Sequence, residues 1–185
     1  MERIAQTLIE EIDNLSSIAT EFSSFAKMPQ AHNLKLNLLE KINTVVDLFS
    51  NSEADFILDY QNYKIVEIFA DKEQISRVFI NLFKNAIQAV DKGQQPVIHI
   101  SINLEGRIAV VKVKDNGNGI PEELREKLFR PNFTTKSSGM GLGLAIIKNI
   151  MEELGGSIRF LTETGKGTTF ILEFPLLNKD EKSLK

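Results

Sequence analysis

Cysteine is missing from all 185 residues, which excludes disulfides, thiolate chemistry and cysteine-ligated zinc. Histidine is scarce: His32 and His99 are the two present, far apart and without metal-ligand spacing, and both read as surface or loop residues. No apolar run approaches the roughly 18 residues that cross a bilayer. The opening Met-Glu-Arg-Ile-Ala-Gln lacks the basic and apolar segments of a secretion signal. An excess of positive charge is missing too. With 22 Lys and Arg against 25 Asp and Glu the formal net charge is −3, so no long-range field favours nucleic acid or an anionic membrane. The chain is expected to be soluble and cytoplasmic, with no nucleic-acid partner and no direct membrane contact from this segment; whether a parent protein is membrane-anchored is left open.

What is present is the make-up of an ordinary globular protein, 42% hydrophobic and 25% charged. Its length gives room for one domain and a modest appendage. The appendage comes first. Ala5, Leu8, Ile12, Leu15, Ala19, Phe22 and Ala26 alternate spacings of three and four, widened by Ile4, Ile18 and Phe25. That draws one apolar seam along a helix of about seven turns, stopped at Met28-Pro29. A regular heptad of this kind favours a bundle or coiled-coil dimer over packing on its own domain. Because the pattern starts without any lead-in, the chain is expected to be a piece of something longer. The division that follows is 1–29 for the helix, 30–177 for the globular domain and 178–185 for a disordered tail.

Within the domain, a short linker leads to Asn37, which can cap a helix from Leu38 to about Asn51. Asp55–Tyr60 and Lys64–Ala70 read as extended runs joined by a turn around Gln61-Asn62. Asp71 caps a long helix through about Asp91, ended by Gly93. Pro96–Asn103 and Arg107–Lys114 alternate as a hairpin turning at Glu105-Gly106. A largely irregular stretch from Asp115 to Met140 holds a short helix near Pro121–Lys127. Leu142–Leu154 is helical up to Gly155-Gly156, and Ser157–Thr162 with Thr168–Pro175 form a last hairpin. Strands interleaved with three helices predict one mixed sheet with helices on a single face.

Three stretches carry chemistry. At about 100° per residue the helix from Asp71 puts Ile75, Val78, Phe79, Leu82, Phe83, Ala86, Ala89 and Val90 on one apolar face. Asn81 and Asn85 lie side by side at its margin, with Gln88 nearby. Asparagine is a mediocre helix former, so the pair either ligates a hard cation through amide oxygens or caps local polar atoms. Next, Asp115-Asn116-Gly117-Asn118-Gly119-Ile120-Pro121 follows a strand. Its carboxylate can accept from an exocyclic amine such as adenine's, and its glycines allow backbone to approach a ligand; a plain turn is the alternative. An EF-hand is excluded because its alternating carboxylates and closing glutamate are lacking. Third, the glycines of Gly139-Met140-Gly141-Leu142-Gly143-Leu144 enter a helix N-terminus and leave N–H groups for phosphate oxygens. The sequence holds no Gly-Lys-Ser/Thr, which removes a Walker A loop, and Leu144 stands where a Rossmann fingerprint needs glycine. The polar run Phe129–Ser138 describes a lid, anchored by Phe129 and Phe133, with Arg130 and Lys136 available to phosphate.

In order, the chain carries Asn81-Leu-Phe-Lys-Asn85-Ala, Asp115-Asn-Gly117-Asn-Gly119, Phe129…Phe133-Thr-Thr-Lys136, Gly139-Met-Gly141-Leu-Gly143 and Gly165-Lys-Gly167-Thr168-Thr-Phe170. Five boxes in this order resemble the ATP-binding domain shared by bacterial sensor histidine kinases, DNA gyrase, Hsp90 and MutL. The resemblance covers about residues 34–176 and, with all five boxes present, is very specific. It implies an α/β (α+β) fold: a two-layer Bergerat-type sandwich whose mixed sheet carries helices on one face, here preceded by a long N-terminal helix. ATP would lie between the long helix and the lid. By the same resemblance Asn85 coordinates Mg²⁺ on the phosphates with Asn81 assisting, and Asp115 accepts from the adenine amine. Gly117, Gly119 and Ile120 would sit by the base, with Thr168 near Asp115. Phe133, Thr134, Thr135 and Lys136 would form the lid, and Gly139, Gly141, Leu142, Gly143 and Leu144 would face the phosphates.

Hydrolysing members of this superfamily are known for a glutamate four residues before the magnesium asparagine. Here Asn81 stands there, and an amide cannot act as general base near neutral pH. Transfer of the γ-phosphate to another nucleophile is therefore expected, by positioning and charge neutralisation. The stretch Glu21–Pro29 is similar to the second dimerisation helix of nitrogen-regulation-type sensor kinases. The resemblance implies three partners: a histidine-bearing dimerisation helix of the parent kinase, a response-regulator receiver domain, and a second copy in a parent homodimer. His32 is followed by Asn33 rather than an acidic residue and His99 falls in a strand, so the phosphoacceptor is expected outside this chain. Two departures stand out: Arg130-Pro131-Asn132 replaces the usual acidic and aromatic lid residues, and Gln88 replaces a basic one. Lys136 is the expected γ-phosphate contact. The competing readings are a gyrase- or Hsp90-type ATPase and a non-catalytic nucleotide-binding and dimerisation module.

Overall fold

A computed structural model describes residue 12 and residues 31–60, 62–134 and 141–177. The seam helix (apart from Ile12, which is helical), Gln61, lid residues 135–140 and the tail 178–185 lie outside the described residues. Local capping starts two helices where the sequence puts them. Asn37 takes the Leu39 N–H at 3.3 Å and opens α1, Leu38–Asp47; the same oxygen takes the Val66 N–H at 3.2 Å. Asp71 accepts from Glu73 at 2.8 Å and Gln74 at 3.1 Å to open α2, Lys72–Ile87. Its other oxygen accepts the His32 N–H at 2.8 Å. Burial works to raise the Asp71 carboxyl, but these backbone donors outweigh it and hold it below the ordinary carboxylate range.

Both helices end a turn earlier than the apolar pattern predicts. After Asp47 the chain tightens into i→i−3 bonds, Phe49 to Val46 at 2.9 Å and Ser50 to Asp47 at 3.2 Å. This brings Phe49 edge-on to Phe83, ring centroids 5.6 Å apart. α2 stops at Ile87 because the Ala89 carbonyl leaves the helix to accept the Asn118 N–H at 2.8 Å.

Five strands form the expected mixed sheet: β2 (Asp55–Asp59), β4 (Val97–Glu105), β5 (Ile108–Asp115), β7 (Gly167–Pro175) and β6 (Ser157–Glu163), side by side in that order. β2 pairs parallel with β4, and the other pairs are antiparallel. A separate ribbon was not foreseen. β3 (Glu67–Ala70) does not pair with β2 across the intervening turn but with β1, Leu34–Asn37, which the sequence presents as linker. Tyr60, between β2 and β3, donates to Asn43 Oδ1 at 2.7 Å, and burial pushes its hydroxyl up to about 12.

Alternate residues of β4, β5 and β7 point one way. Ile98, Ile100, Val111, Val113, Leu172 and Phe174 meet Ile75, Phe79, Leu82 and Phe83 of α2 in one core. Ile146, Ile147 and Ile150 of α4, Gly143–Glu153, join them. Each fully buried side chain of this size contributes about 1.5–3 kcal/mol. A one-turn helix, α3 (Glu122–Arg125), sits beside this layer. The margin of α2, the end of β5 and the start of α4 are left facing one another.

Candidate functional site

Asp115 closes β5 on the helix-facing side of the sheet, level with Ile98 on β4. It is 5% exposed, and a buried carboxylate needs hydrogen-bond donors. Its Oδ1 accepts the Gly117 N–H at 2.9 Å and the Thr168 N–H at 3.0 Å. Gly167, at φ 97°, lies so close over the Asp115 carbonyl oxygen that any Cβ would collide with it. Thr168, also 5% exposed, pairs across β6–β7 with Thr162. The Thr162 hydroxyl takes the Ile120 N–H at 2.9 Å, lies 3.0 Å from the Thr168 hydroxyl and donates to the Gly167 carbonyl at 3.1 Å.

The loop after Asp115 is strapped on both sides. Asn118 receives the Gly165 N–H at 2.8 Å on its carbonyl and donates through its side chain to Asp91 at 2.8 Å. Gly117 packs flush on Ala89, and Gly119 at φ 69° packs on the Glu163 carbonyl. The close approaches that the glycines allow are thus between protein segments. Gly119 and Ile120 line the cleft described next, whereas Gly117, expected beside the ligand, is not among its lining residues. Asn116 spends its side chain on the start of β4, taking the Val97 N–H at 2.8 Å and donating to the Gln95 carbonyl at 2.9 Å.

Between α2, this loop and the start of α4 opens a cleft of about 350 Å³. Its lining brings Asp115, Thr168 and Ile120 together with Asn81, Lys84 and Asn85 of α2 and with Gln88 just beyond that helix. Leu124, Leu128, Leu142 and Phe170 supply apolar walls, and Phe133, Thr134, Gly141, Gly143 and Leu144 complete the lining. The periodicity that put Asn81 and Asn85 at the margin of the apolar face therefore aims them into this space. Asn81 Nδ2 donates back to the Arg77 carbonyl at 3.0 Å, while its Oδ1 faces Gly143, where an added Cβ would come within 3.1 Å. α4 starts after Leu142, an N-cap residue that makes no side-chain cap hydrogen bond, at the positive end of the helix dipole. Gly141, at φ 65°, lies against the Phe133 backbone so tightly that a Cβ would strike the Phe133 carbonyl.

Chemically the cleft offers a carboxylate to an N–H donor at one end. At the other it offers amide oxygens to a hard cation and an uncapped helix start to an anion, with an apolar passage between. Among the described residues no three His, Asp or Glu cluster as a metal cage. A divalent cation at Asn85 would therefore complete its shell with phosphate oxygens and water, the usual habit of Mg²⁺, and the donor set fits that ion in partnership with a phosphate ligand. The expected lid and loop residues Thr135, Lys136 and Gly139 lie outside the described residues. His32 is exposed, and His99 sits on the opposite face of the sheet, 3.8 Å from the Asp59 carboxylate; neither lines the cleft. Sequence reasoning missed the apolar walls Leu124, Leu128 and Phe170, and it missed Thr162. The alternation that buries Ile158 and Phe160 was the one signal putting Thr162 on the inner face.

Residues 70–178 match the family described as histidine kinase-, DNA gyrase B-, and HSP90-like ATPase. The chain is 35% identical over 177 residues to the sensor histidine kinase ZraS of Escherichia coli, covering 94% of this chain and 38% of that protein. It is 33% identical over 162 residues to the nitrogen regulation protein NtrY of Azorhizobium caulinodans, covering 85% of this chain and 21% of that protein. The chain thus spans well under half the length of these curated relatives. Among solved structures, the catalytic domain of the histidine kinase ThkA in a nucleotide-free form superposes with a TM-score of 0.69 at 37% identity, covering 78% of this chain and 95% of that one. ThkA in complex with the response regulator TrrA gives a TM-score of 0.75 at 32% identity, covering 92% of this chain and 50% of that one.

Proposed function

We infer that this chain, which belongs to the histidine kinase-, DNA gyrase B-, and HSP90-like ATPase family and is an ATP-binding catalytic domain of the sensor histidine kinase kind, passes the γ-phosphate of ATP to a histidine outside residues 1–185. The observation that carries this reading is that Asp115 and Asn85 line one and the same cleft. Asp115 accepts the exocyclic amine of adenine, and Thr168, Gly119 and Ile120 frame the base. Asn85, assisted by Asn81, holds Mg²⁺ against the phosphates. An Mg²⁺ held there would supply charge neutralisation to the phosphoryl oxygens. Gly141, Leu142, Gly143 and Leu144 bring backbone and the α4 dipole to the phosphates. Phe133, Thr134, Thr135, Lys136 and Gly139 close over them, with Lys136 at the γ-phosphate.

Asn81 bears on the acceptor. Its amide is no base, and it is already bonded to the Arg77 carbonyl, so water at the γ-phosphate goes unactivated. The imidazole of a parent-kinase histidine forms the P–N bond while the bond to the β-phosphate breaks and ADP departs. Residues 1–29 would form part of the dimerisation bundle, residues 30–177 the catalytic domain and residues 178–185 a disordered tail. The partners follow: the histidine-bearing helix, a second copy in the parent, and a response-regulator receiver domain.

Calorimetry of this chain with ADP and with a non-hydrolysable ATP analogue, with and without Mg²⁺, tests the binding half. Nucleotide binding strengthened by Mg²⁺ is the expected result, and no binding of either ligand sinks it. Supplying the histidine-bearing helix in trans with ATP tests the transfer half. Failure to phosphorylate that helix would leave a nucleotide-binding module, and sustained hydrolysis without it would point to a gyrase-like ATPase.

A further inference from the structure

Thr162 does not line the cleft, yet its hydroxyl joins three elements at the Asp115 end. A threonine hydroxyl has one proton and two lone pairs. The proton goes to the Gly167 carbonyl at 3.1 Å. One lone pair takes the Ile120 N–H at 2.9 Å. Either hydroxyl could donate in the 3.0 Å bond between them; with the Thr162 proton given to the Gly167 carbonyl, the second lone pair accepts from Thr168. The Thr168 proton then points into the β6–β7 pair, and only lone pairs of Thr168 remain for a group in the cleft. Asp115, whose Oδ1 accepts the Thr168 N–H at 3.0 Å, is likewise an acceptor. Both side chains at this end thus present acceptors.

Resting on the reading of the Asp115 end as the base-recognition end, we propose that Thr162 is a positioning residue that fixes the polarity of Thr168, so that the site takes a purine offering N–H donors at C6 and rejects one offering a carbonyl there. Removing the Thr162 hydroxyl frees the Thr168 proton to turn towards the ligand. A 6-oxo base then gains a donor that the native site withholds, while a 6-amino base loses an acceptor.

The test compares ADP with inosine diphosphate, whose base carries an oxo group for the amine and a proton on N1, by calorimetry on the whole chain. The wild type should bind ADP more tightly. In Thr162→Val, close in shape but without the hydroxyl, the ADP-to-inosine ratio should fall about tenfold, the size of one buried hydrogen bond. Thr162→Ser should restore it. Thr168→Val should lower the ratio by a similar factor, and adding Thr162→Val to it should change the ratio no further. Thermal unfolding of each variant separates loss of fold from loss of discrimination, and Thr162→Ala replaces Thr162→Val if the valine does not fold. A folded Thr162 variant with the wild-type ratio overturns the inference while leaving ATP binding intact. A wild type that binds neither nucleotide, or both equally, removes the base-recognition reading and the inference with it.

Discussion

At the Asp115 end of the cleft, one carboxylate oxygen takes two backbone N–H groups and a pair of threonine hydroxyls is closed upon itself. At the Asn85 end, the residue before α4 makes no side-chain cap and Asn81 turns an oxygen towards a glycine. The first end is fixed by hydrogen bonds within the protein, with Thr168 lone pairs left towards the cleft. The second gathers amide side chains and a helix start, which suit a charged ligand that brings its own cation. A planar base is discriminated by fixed geometry, whereas phosphates need charge, and charge tolerates looser placement.

Glycine substitutions test that contrast most harshly. Gly167→Ala must accept a positive φ and a collision with the Asp115 carbonyl, and it is expected to cost about 3 kcal/mol in chemical denaturation. Gly143→Ala meets an amide oxygen at 3.1 Å that can yield, and it should change stability by less than about 1 kcal/mol while still weakening nucleotide binding. Similar stability losses for the two would erase the distinction between a committed end and an adaptable one.

Asp115→Ala comes next. Loss of a charge-assisted hydrogen bond should reduce ADP affinity by about 1.5–3 kcal/mol. Because the carboxylate also holds Gly117 and Thr168, the melting temperature should fall too. A variant that loses affinity with unchanged melting would mean that Asp115 serves the ligand alone. Asn85→Ala should cost about tenfold in Mg²⁺-dependent ADP binding, leaving Mg²⁺-free binding near wild type. Equal losses with and without the ion would count against a metal role.

The smallest effect lies outside both ends. Asp71→Ala removes the α2 cap and should cost about 1 kcal/mol in stability, leaving the ADP affinity measured at neutral pH unaltered. The Asp71 carboxyl titrates lower folded than unfolded, so its contribution is present above the unfolded carboxylate value, about 3.9. That contribution is lost as pH falls through the lower folded value. Denaturation curves of wild type and variant should therefore converge in acid, and a gap that persists there would show that the cap is not acting as a carboxylate.

What the sequence disclosed follows the range of the interactions involved. Asn37 and Asp71 cap the residues two and three ahead of them, and α2 shows its core face by simple periodicity, so these were legible, as was the hairpin through Gly106. The ribbon of β1 and β3 was not, because four-residue strands that pair across the whole of residues 38–66 leave no periodic trace. The ends of the two helices were overestimated because Ala89 and Phe49 obey distant partners rather than the helix pattern. In the site, Asn81, Asn85 and Asp115 could be picked out as unusual residues for their elements. Asn116, Asn118 and Thr162 could not, since their hydrogen-bond partners are fixed by the tertiary arrangement.

Asp115 finds its Thr168 donor 53 residues further along. A nascent chain emerging from the ribosome would therefore hold every upstream glycine box and both asparagines without a finished base site. On the proposed reading, the base site would be complete only once the final hairpin has paired beside β5. A cut that released β7 would then abolish recognition while sparing the helix that carries Asn85.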